Sequence, residues 1–272
     1  MNPEHTWRKF SDLKGTIQGI GRAAIAFSGG VDSLLLLIAA RESDSEQIIA
    51  VTLDSCFFPR RELHMSMQLA SSLTLEHLII EKKEFSDPRI LNNPRERCYY
   101  CKKELFTEIK DKVFAAYGTT CILDGTNHDD LSTDRPGMKA LSELDVLSPL
   151  RDIGFTKDEV RFVLAAKGVP IWNKPPSSCL ATRIPHGQEI TPGKLAMIEV
   201  AEDYLLAKGF RQVRVRHHGE VARIEVAPEE RAAFFEGSLM DDVARELKGI
   251  GYKYVSLDLE GYKTDRQRGV GL

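Results

Sequence analysis

The stretch Arg22-Ala-Ala-Ile-Ala-Phe-Ser-Gly-Gly-Val-Asp-Ser33, running on into Leu34-Leu-Leu-Leu-Ile-Ala-Ala40, decides the fold. Residues 22–27 are an apolar run of strand length, and residues 34–42 have the length and composition of a buried helix. Between them lies a hexapeptide with two adjacent glycines. Strand, glycine loop and helix in that order let backbone N–H groups and the positive end of a helix approach an anion with no Cβ in the way. The Gly-Lys-Ser/Thr ending of a Walker loop is missing, so transfer of a terminal phosphoryl group is not the chemistry indicated. A strand-to-helix turn that is merely rich in glycine is the plain alternative.

Outward from this loop the pattern repeats. Residues 48–53 read as a second strand, 61–72 as a helix, 75–80 as a third strand, 103–116 as a helix, and 120–124 as a strand that ends at Asp124-Gly-Thr-Asn-His-Asp-Asp130. Such a series implies an α/β fold with a doubly wound parallel sheet, whose ligand sits beyond the carboxyl ends of the strands. Residues 156–167 are one more helix, with Thr156 as N-cap, Glu159 completing a capping box, and Gly168 and Pro170 ending it. Residues 1–21 read only as a polar leader to the first strand.

The texture changes at Lys174-Pro-Pro-Ser-Ser-Cys179. Beyond it come a helix (193–208), strands 212–217 and 221–226 around the turn His218-Gly-Glu220, a helix (228–248) and a last strand (254–259). This is a second, smaller α/β domain, and the boundaries read as 1–175 and 176–272. The tail after Tyr262 reads as loose.

With 272 residues, 42% hydrophobic and 28% charged, the composition excludes fibrous and wholly disordered chains. No run nears the roughly 20 apolar residues of a membrane helix. Residues 1–14 hold Glu4, Arg8, Lys9 and Asp12 without an apolar stretch of signal-peptide length, so the cytoplasm is the expected compartment. Lys and Arg number 37 against 40 Asp and Glu, a net charge of -3, which counts against a dedicated nucleic-acid binder. Five cysteines, an odd number in a reducing compartment, point to metal binding or catalysis before disulfides.

Arg214 and Arg216 alternate with Val213 and Val215, so both project from one sheet face, and Arg223 and Glu225 repeat the spacing on the next strand. Forked donors of this kind suit a substrate with phosphate and carboxylate groups; a solvated strand face is the alternative. Glu202, Glu225 and Asp258 could bind a metal or balance the charge.

The hexapeptide Ser28-Gly-Gly-Val-Asp-Ser33 resembles the signature of the PP-loop ATP pyrophosphatases, and Asp124–Asp130 with Ser148-Pro-Leu-Arg-Asp152 are similar to later landmarks of that superfamily. These enzymes cleave ATP to AMP and pyrophosphate while adenylating a substrate oxygen. The resemblance implies that Ser28, Gly29, Gly30, Asp32 and Ser33 hold pyrophosphate and its magnesium, with Asp32 in the catalytic set. It also implies that Asp54, at the end of the second strand, flanks adenosine and that Gly125 and Asp130 line the nucleotide. Asp129 and Asp130 have an alternative as acids at a helix N-terminus.

The motifs Asp134-Arg-Pro-Gly-Met-Lys-Ala140, Trp172-Asn-Lys174, Ser177-Ser-Cys-Leu-Ala-Thr-Arg-Ile-Pro-His-Gly187, Val213-Arg-Val-Arg216, Ala222-Arg-Ile-Glu225 and Leu257-Asp-Leu-Glu-Gly261 together resemble the LarE family. Its members are ATP-dependent sulfurtransferases of pyridinium-3,5-dicarboxylate mononucleotide in nickel-pincer nucleotide biosynthesis. The resemblance implies adenylation of a substrate carboxylate, displacement of AMP by sulfur and a thiocarboxylate product. Cys179 stands at the sulfur-bearing position, Arg183 in the catalytic set beside it, and Arg214, Arg216, Arg223 and Glu225 at the substrate. Arg183 has the alternative of a surface ion pair, and His186 reads better as a structural histidine than as an acid or base.

Arg97-Cys98-Tyr-Tyr-Cys101 divides the family. Members without these two cysteines give up the sulfur of the single one and are left with dehydroalanine. Three-cysteine members look like cluster enzymes, and the implied metal ligands here are Cys98, Cys101 and Cys179, holding a 4Fe-4S cluster with one iron open to an extra sulfide. A zinc knob completed by a histidine, a redox Cys-x-x-Cys and buried thiols are the alternatives. Cys121 reads as a core strand residue and Cys56 has no partner spacing. The implied cofactors are the cluster and ATP with Mg2+; the implied partners are a small nucleotide substrate and a sulfide source or sulfur-donor protein. Neither a membrane nor a nucleic acid is expected, and a homo-oligomer is left open. The rival readings are a PP-loop tRNA thiolase and a zinc-stabilised nucleotide-binding module.

Overall fold

The computed structural model describes residues 2–45, 47–132 and 136–263. Asp134 and Arg135 of the 134–140 motif, and the tail beyond Lys263, lie outside the described residues. Contacts divide the chain into two units, residues 1–90 with 96–177, and residues 91–95 with 178–272.

The first unit runs α1 (Pro3–Ile20), β1 (Arg22–Ala26), α2 (Val31–Glu42), β2 (Gln47–Ser55), α3 (Arg60–Ser72), β3 (Glu76–Lys82), α4 (Pro88–Leu91), α5 (Arg97–Tyr117), β4 (Ile122–Leu123), α6 (Pro136–Glu143), α7 (Pro149–Ile153) and α8 (Lys157–Ala166). Its four strands are ordered β3-β2-β1-β4 and all pair in parallel, the doubly wound sheet expected of the repeating series. The apolar strands β1, β2 and β4 are buried on both faces over most of their length and give this sheet its cohesion, while β3 is a partly exposed edge. Ala23 and Ile25 of β1 face a core with Leu13 and Ile17 of α1, Leu34–Leu37 of α2 and Val160, Val163 and Leu164 of α8. Ala24 faces the other way, onto Ile109 and Val113 of α5. Every residue from Leu34 to Ala40 is buried, so α2 is apolar all round and central.

Three expectations change in this unit. Residues 3–20 are not a polar leader but a helix, capped by Asn2 and buried along Thr6, Phe10, Leu13 and Ile17, a helical spacing. Helix α5 starts at Arg97, not at 103, because the chain turns at Asn93 (φ 56) and Pro94 and can wind from there. Cys98 and Cys101 therefore sit on a helix. Strand β4 holds only two residues, and Cys121, just before it, is half-buried. The capping box at Thr156 and Glu159 forms as read.

The second unit carries α9 (Pro192–Ala207), β5 (Val213–His218), β6 (Val221–Val226), α10 (Leu239–Ile250) and β7 (Tyr254–Leu257). Strands β5 and β6 pair antiparallel, and β6 and β7 parallel. Val213, Val215, Ala222, Ile224 and Val226 line a core with Leu205 of α9 and Val243 and Leu247 of α10. The alternation of the two strands puts Arg214, Arg216, Arg223 and Glu225 on the opposite face. The helix expected over 228–248 is split: Pro228–Phe235 is a 3-10 turn, and Gly237 (φ 55) interrupts the chain before α10. Strand β7 stops at Leu257 because the carboxylate of Asp258 accepts the Glu260 N–H at 2.9 Å and turns the chain. Among the described residues no helix is long and apolar enough to cross a membrane.

Candidate functional site

The loop between β1 and α2 is shaped by its own hydroxyls. Ser33 Oγ donates to the Gly30 carbonyl at 3.2 Å and accepts the Ser28 N–H at 3.4 Å. Gly29 has φ +67, and a Cβ there would lie 3.3 Å from the Glu62 carbonyl, so both conformation and space call for glycine. Gly30 opens α2 without a side-chain cap, which leaves the helix end to its backbone N–H groups. Gly125 is the tightest approach in this loop: a Cβ there would stand 2.9 Å from Ser33 N and 3.2 Å from Ser33 Cα. The segment after β4 thus lies directly on the first turn of α2.

Asn127, buried at 3% exposure, ties that segment to the acids. Its Nδ2 donates to Asp32 Oδ1 at 3.1 Å, its Oδ1 accepts the Asp129 N–H at 2.9 Å, and its own N–H donates to Asp130 Oδ2 at 3.1 Å. Lys157 Nζ donates to Asp32 Oδ2. Buried Asp124 accepts the hydroxyls of Thr126 and Ser148 and so fixes the turn through Gly125. Lys174 Nζ donates to the Gly29 carbonyl at 3.0 Å and pairs with Glu62. Asp54 lies near the end of β2 and pairs with Arg60. Because β1 and β2 run parallel with Ala26 opposite Val51, Asp54 lies at the same carboxyl edge as the loop.

Ser28, Gly29, Gly30, Asp32, Ser33, Gly125 and Asp130 are therefore brought together at one edge by these bonds and close approaches. Asn127, Lys157 and Lys174 belong to the same cluster, although the sequence does not single them out. Asn127 and Lys174 lie inside the motif stretches 124–130 and 172–174. Lys157 carries no signal beyond its place after an N-cap.

In the second unit, Cys179 begins a 3-10 turn (Leu180–Arg183) that is wrapped by guanidinium groups. Arg183 is completely buried, so the alternative of a surface ion pair falls. Its Nη1 donates to the Ser178 and Cys179 carbonyls at 2.8 and 2.9 Å, and its Nε and Nη2 fork onto Glu202 at 2.8 and 3.1 Å. Glu202 Oε1 also accepts the Val215 N–H at 3.1 Å. Arg216 Nη1 donates to the Thr182 carbonyl at 2.7 Å. Arg183 is thereby a positioning group for the Cys179 turn. His186 is exposed.

The arginine face is not a row of open forks. Arg216 and Arg223 share Glu225, and Arg223 also reaches Asp258 at 2.8 Å. Glu202, Glu225 and Asp258 thus balance charge: three carboxylates meet four guanidiniums, Arg183, Arg214, Arg216 and Arg223. Burial, helped by the nearby Arg183, lowers the Arg214 pKa to about 10, and its guanidinium stacks on Tyr262 at 5.2 Å. Arg223 Nε is buried with no hydrogen-bond partner among the described residues.

Cys98 and Cys101 lie one turn apart at the start of α5, both half-buried, with the Arg97 guanidinium 3.7 Å from Cys98 Sγ. That spacing fits two thiolate ligands of one centre. The third thiol named with them, Cys179, belongs to the other unit, and among the described residues no three His, Cys, Asp or Glu side chains stand together as a metal site. Burial raises the pKa of the Cys56 and Cys121 thiols, which leaves both as poor nucleophiles.

No protein-family model matches the chain. An uncharacterized protein of Synechocystis sp. is 36% identical over 258 residues, 95% of this chain and 96% of that protein. The pyridinium-3,5-bisthiocarboxylic acid mononucleotide synthase of Lactiplantibacillus plantarum is 36% identical over 266 residues, 95% of this chain and 93% of that enzyme. A glutamine-hydrolyzing GMP synthase of Aeropyrum pernix is 26% identical over 223 residues, 72% of this chain and 43% of that enzyme.

Proposed function

The chain belongs to the LarE family, within the PP-loop group of ATP pyrophosphatases, and from that premise we propose that it transfers sulfur to pyridinium-3,5-dicarboxylate mononucleotide at the expense of ATP. The observation that carries this reading is the similarity to the L. plantarum synthase, which extends over 95% of the chain and so takes in both the phosphate loop and the Cys179 turn.

A ring carboxylate is a poor electrophile because its oxygen is a poor leaving group. In the proposed reaction that oxygen attacks the α-phosphorus of ATP, the bond to the bridging oxygen breaks, and pyrophosphate leaves. The glycine loop and the N–H groups of α2 bind the departing phosphates, and Asp32 holds magnesium. A sulfide sulfur then attacks the acyl carbon, the bond from that carbon to the AMP oxygen breaks, and AMP departs with the electron pair, leaving a thiocarboxylate. Cys179 stands at the family's sulfur-bearing position and keeps its own sulfur in this reading, and Arg183 holds its turn in place. Arg214, Arg216 and Arg223 bind the anionic substrate; the buried Nε–H of Arg223 is a donor that a phosphate or carboxylate oxygen would satisfy. The division of labour proposed is ATP chemistry in residues 1–175 and substrate binding in 176–272, in the cytoplasm.

A finer proposal concerns the sulfur source. A 4Fe-4S cluster on Cys98, Cys101 and Cys179 would supply sulfide, and the pair at the start of α5 supports it by spacing alone.

The test combines ATP, sulfide and the dicarboxylate substrate under anaerobic conditions. AMP, pyrophosphate and a product heavier by the exchange of oxygen for sulfur are expected; ADP as the nucleotide product would overturn the proposal. Iron and sulfide assay of the anaerobically purified chain decides the cluster, with zinc alone counting against it. Dehydroalanine at position 179 in step with product would replace the cluster by the sacrificial cysteine.

A further inference from the structure

Lys157 stands among the acids of the phosphate loop. It opens α8, its backbone N–H donates to Asp129 Oδ2 at 2.9 Å, and its ammonium donates to Asp32 Oδ2. Asn127 brings Asp32, Asp129 and Asp130 around itself. A polyphosphate entering this loop meets three carboxylates, and the backbone N–H groups offset its charge only in part. A cation must do the rest.

Among the described residues two lysines, Lys157 and Lys174, reach the loop. The ammonium of Lys174 is committed to the Gly29 carbonyl, to Glu62 at 2.5 Å and to Met65 Sδ, and its side chain is only 12% exposed. It shapes the loop and has no donor to spare. Lys157 keeps 27% of its side chain exposed, and its carboxylate partner is the residue that a divalent cation would claim. A metal ion held by Asp32 would displace the ammonium from that carboxylate, and a lysine stem is long and flexible enough to carry the ammonium from one anionic oxygen to another.

We infer that Lys157 is a phosphate ligand of this site: as a divalent cation binds Asp32, the ammonium passes to an oxygen of the leaving pyrophosphate group. The inference rests on the ATP-cleaving reading above and adds a residue to it. When the bond between the α-phosphorus and the bridging oxygen breaks, its electron pair goes to pyrophosphate. Lys157 and the divalent cation offset that charge, and no proton changes hands.

Titration of wild type, Lys157→Met and Lys157→Arg with magnesium pyrophosphate and, separately, with adenosine tests this. Lys157→Met should bind pyrophosphate about 10- to 100-fold more weakly, adenosine should hold within about twofold, and Lys157→Arg should recover most of the loss. A residue that only supports the fold would weaken both ligands together, and that result overturns the inference. So does an unchanged pyrophosphate affinity in Lys157→Met. Wild-type ATP turnover is assayed in parallel: ADP in place of AMP defeats the parent reading, while the pyrophosphate titration still decides Lys157.

Discussion

The two loops to which the proposed reaction assigns its chemistry are held by opposite physics. The loop at Ser28–Ser33 is fixed by close backbone approach, with Gly125 on the first turn of α2 and Gly29 against α3. Its ionic contacts, such as Lys157 with Asp32, keep partial exposure to water. The turn at Cys179 is fixed from inside by a guanidinium with no exposure, forked onto an equally buried carboxylate. Water screens the first kind of contact and cannot reach the second. The difference teaches where damage goes: at the phosphate loop a change should reach binding before stability, whereas at the Cys179 turn it should reach stability first.

The sharpest test of that contrast is Arg183→Met. It strips Glu202 of its buried guanidinium partner, and removing one partner of a buried pair costs about 3–5 kcal/mol. Urea denaturation should show this loss, and the double variant with Glu202→Leu should recover a large share of it, because neither charge is then stranded. A single variant as stable as wild type would erase the comparison.

At the phosphate loop the corresponding change is Gly125→Ala. The added Cβ meets backbone, not a yielding side chain, so the expected loss is about 1–3 kcal/mol. Because the displaced atoms are Ser33 N and Cα, ATP cleavage should fall much further than the melting temperature does. Wild-type turnover in this variant would show that close packing is not what sets the loop.

These two sites are unequally legible in the sequence. The strand, the paired glycines and the helix of the loop at Ser28–Ser33 are contiguous, so their order alone marks a candidate anion site. The partners that finish it are remote: Asn127 lies 95 residues from Asp32, Lys157 lies 125, and Lys174 lies 145 from Gly29. No local rule joins them. Likewise the spacing of Arg214 and Arg216 reveals one face, but not that Glu225 is shared between Arg216 and Arg223. Helix α1 has a readable signal in Phe10, Leu13 and Ile17, masked by the charges around them. Over 228–248 the helical pattern continues through Gly237, whose positive φ only the structure shows.

The mildest test concerns acid, and it asks whether burial acts alike in both units. His77 of β3 holds Thr52 Oγ1 at 2.8 Å, and that hydroxyl already donates to the Phe27 carbonyl at 2.7 Å, so the His77 Nε2 carries the proton. In the second unit His217 Nδ1 meets the Tyr252 hydroxyl at 3.2 Å. Burial lowers both pKa values below the ordinary 6.5, and Lys194 and His218 push His217 the same way. The unfolded chain therefore binds more protons than the folded one from each lowered value up to about 6.5, so stability rises with pH across that window and is lost as pH falls through it. The ceiling is about 1.4 kcal/mol per pH unit for each proton. Glu104 and Glu159, held below the usual 4.5 despite desolvation by bonds to Lys82 and Lys9, lose their contribution only in stronger acid. Urea denaturation at about pH 7.5 and 5.5 isolates the histidines. His77→Gln and His217→Gln should each shrink the loss on acidification, and His217→Gln should shrink it more, since that ring is 4% exposed and flanked by further cations. If both variants lose as much stability as wild type, neither ring is held neutral by burial, and the two units do not share this source of acid sensitivity.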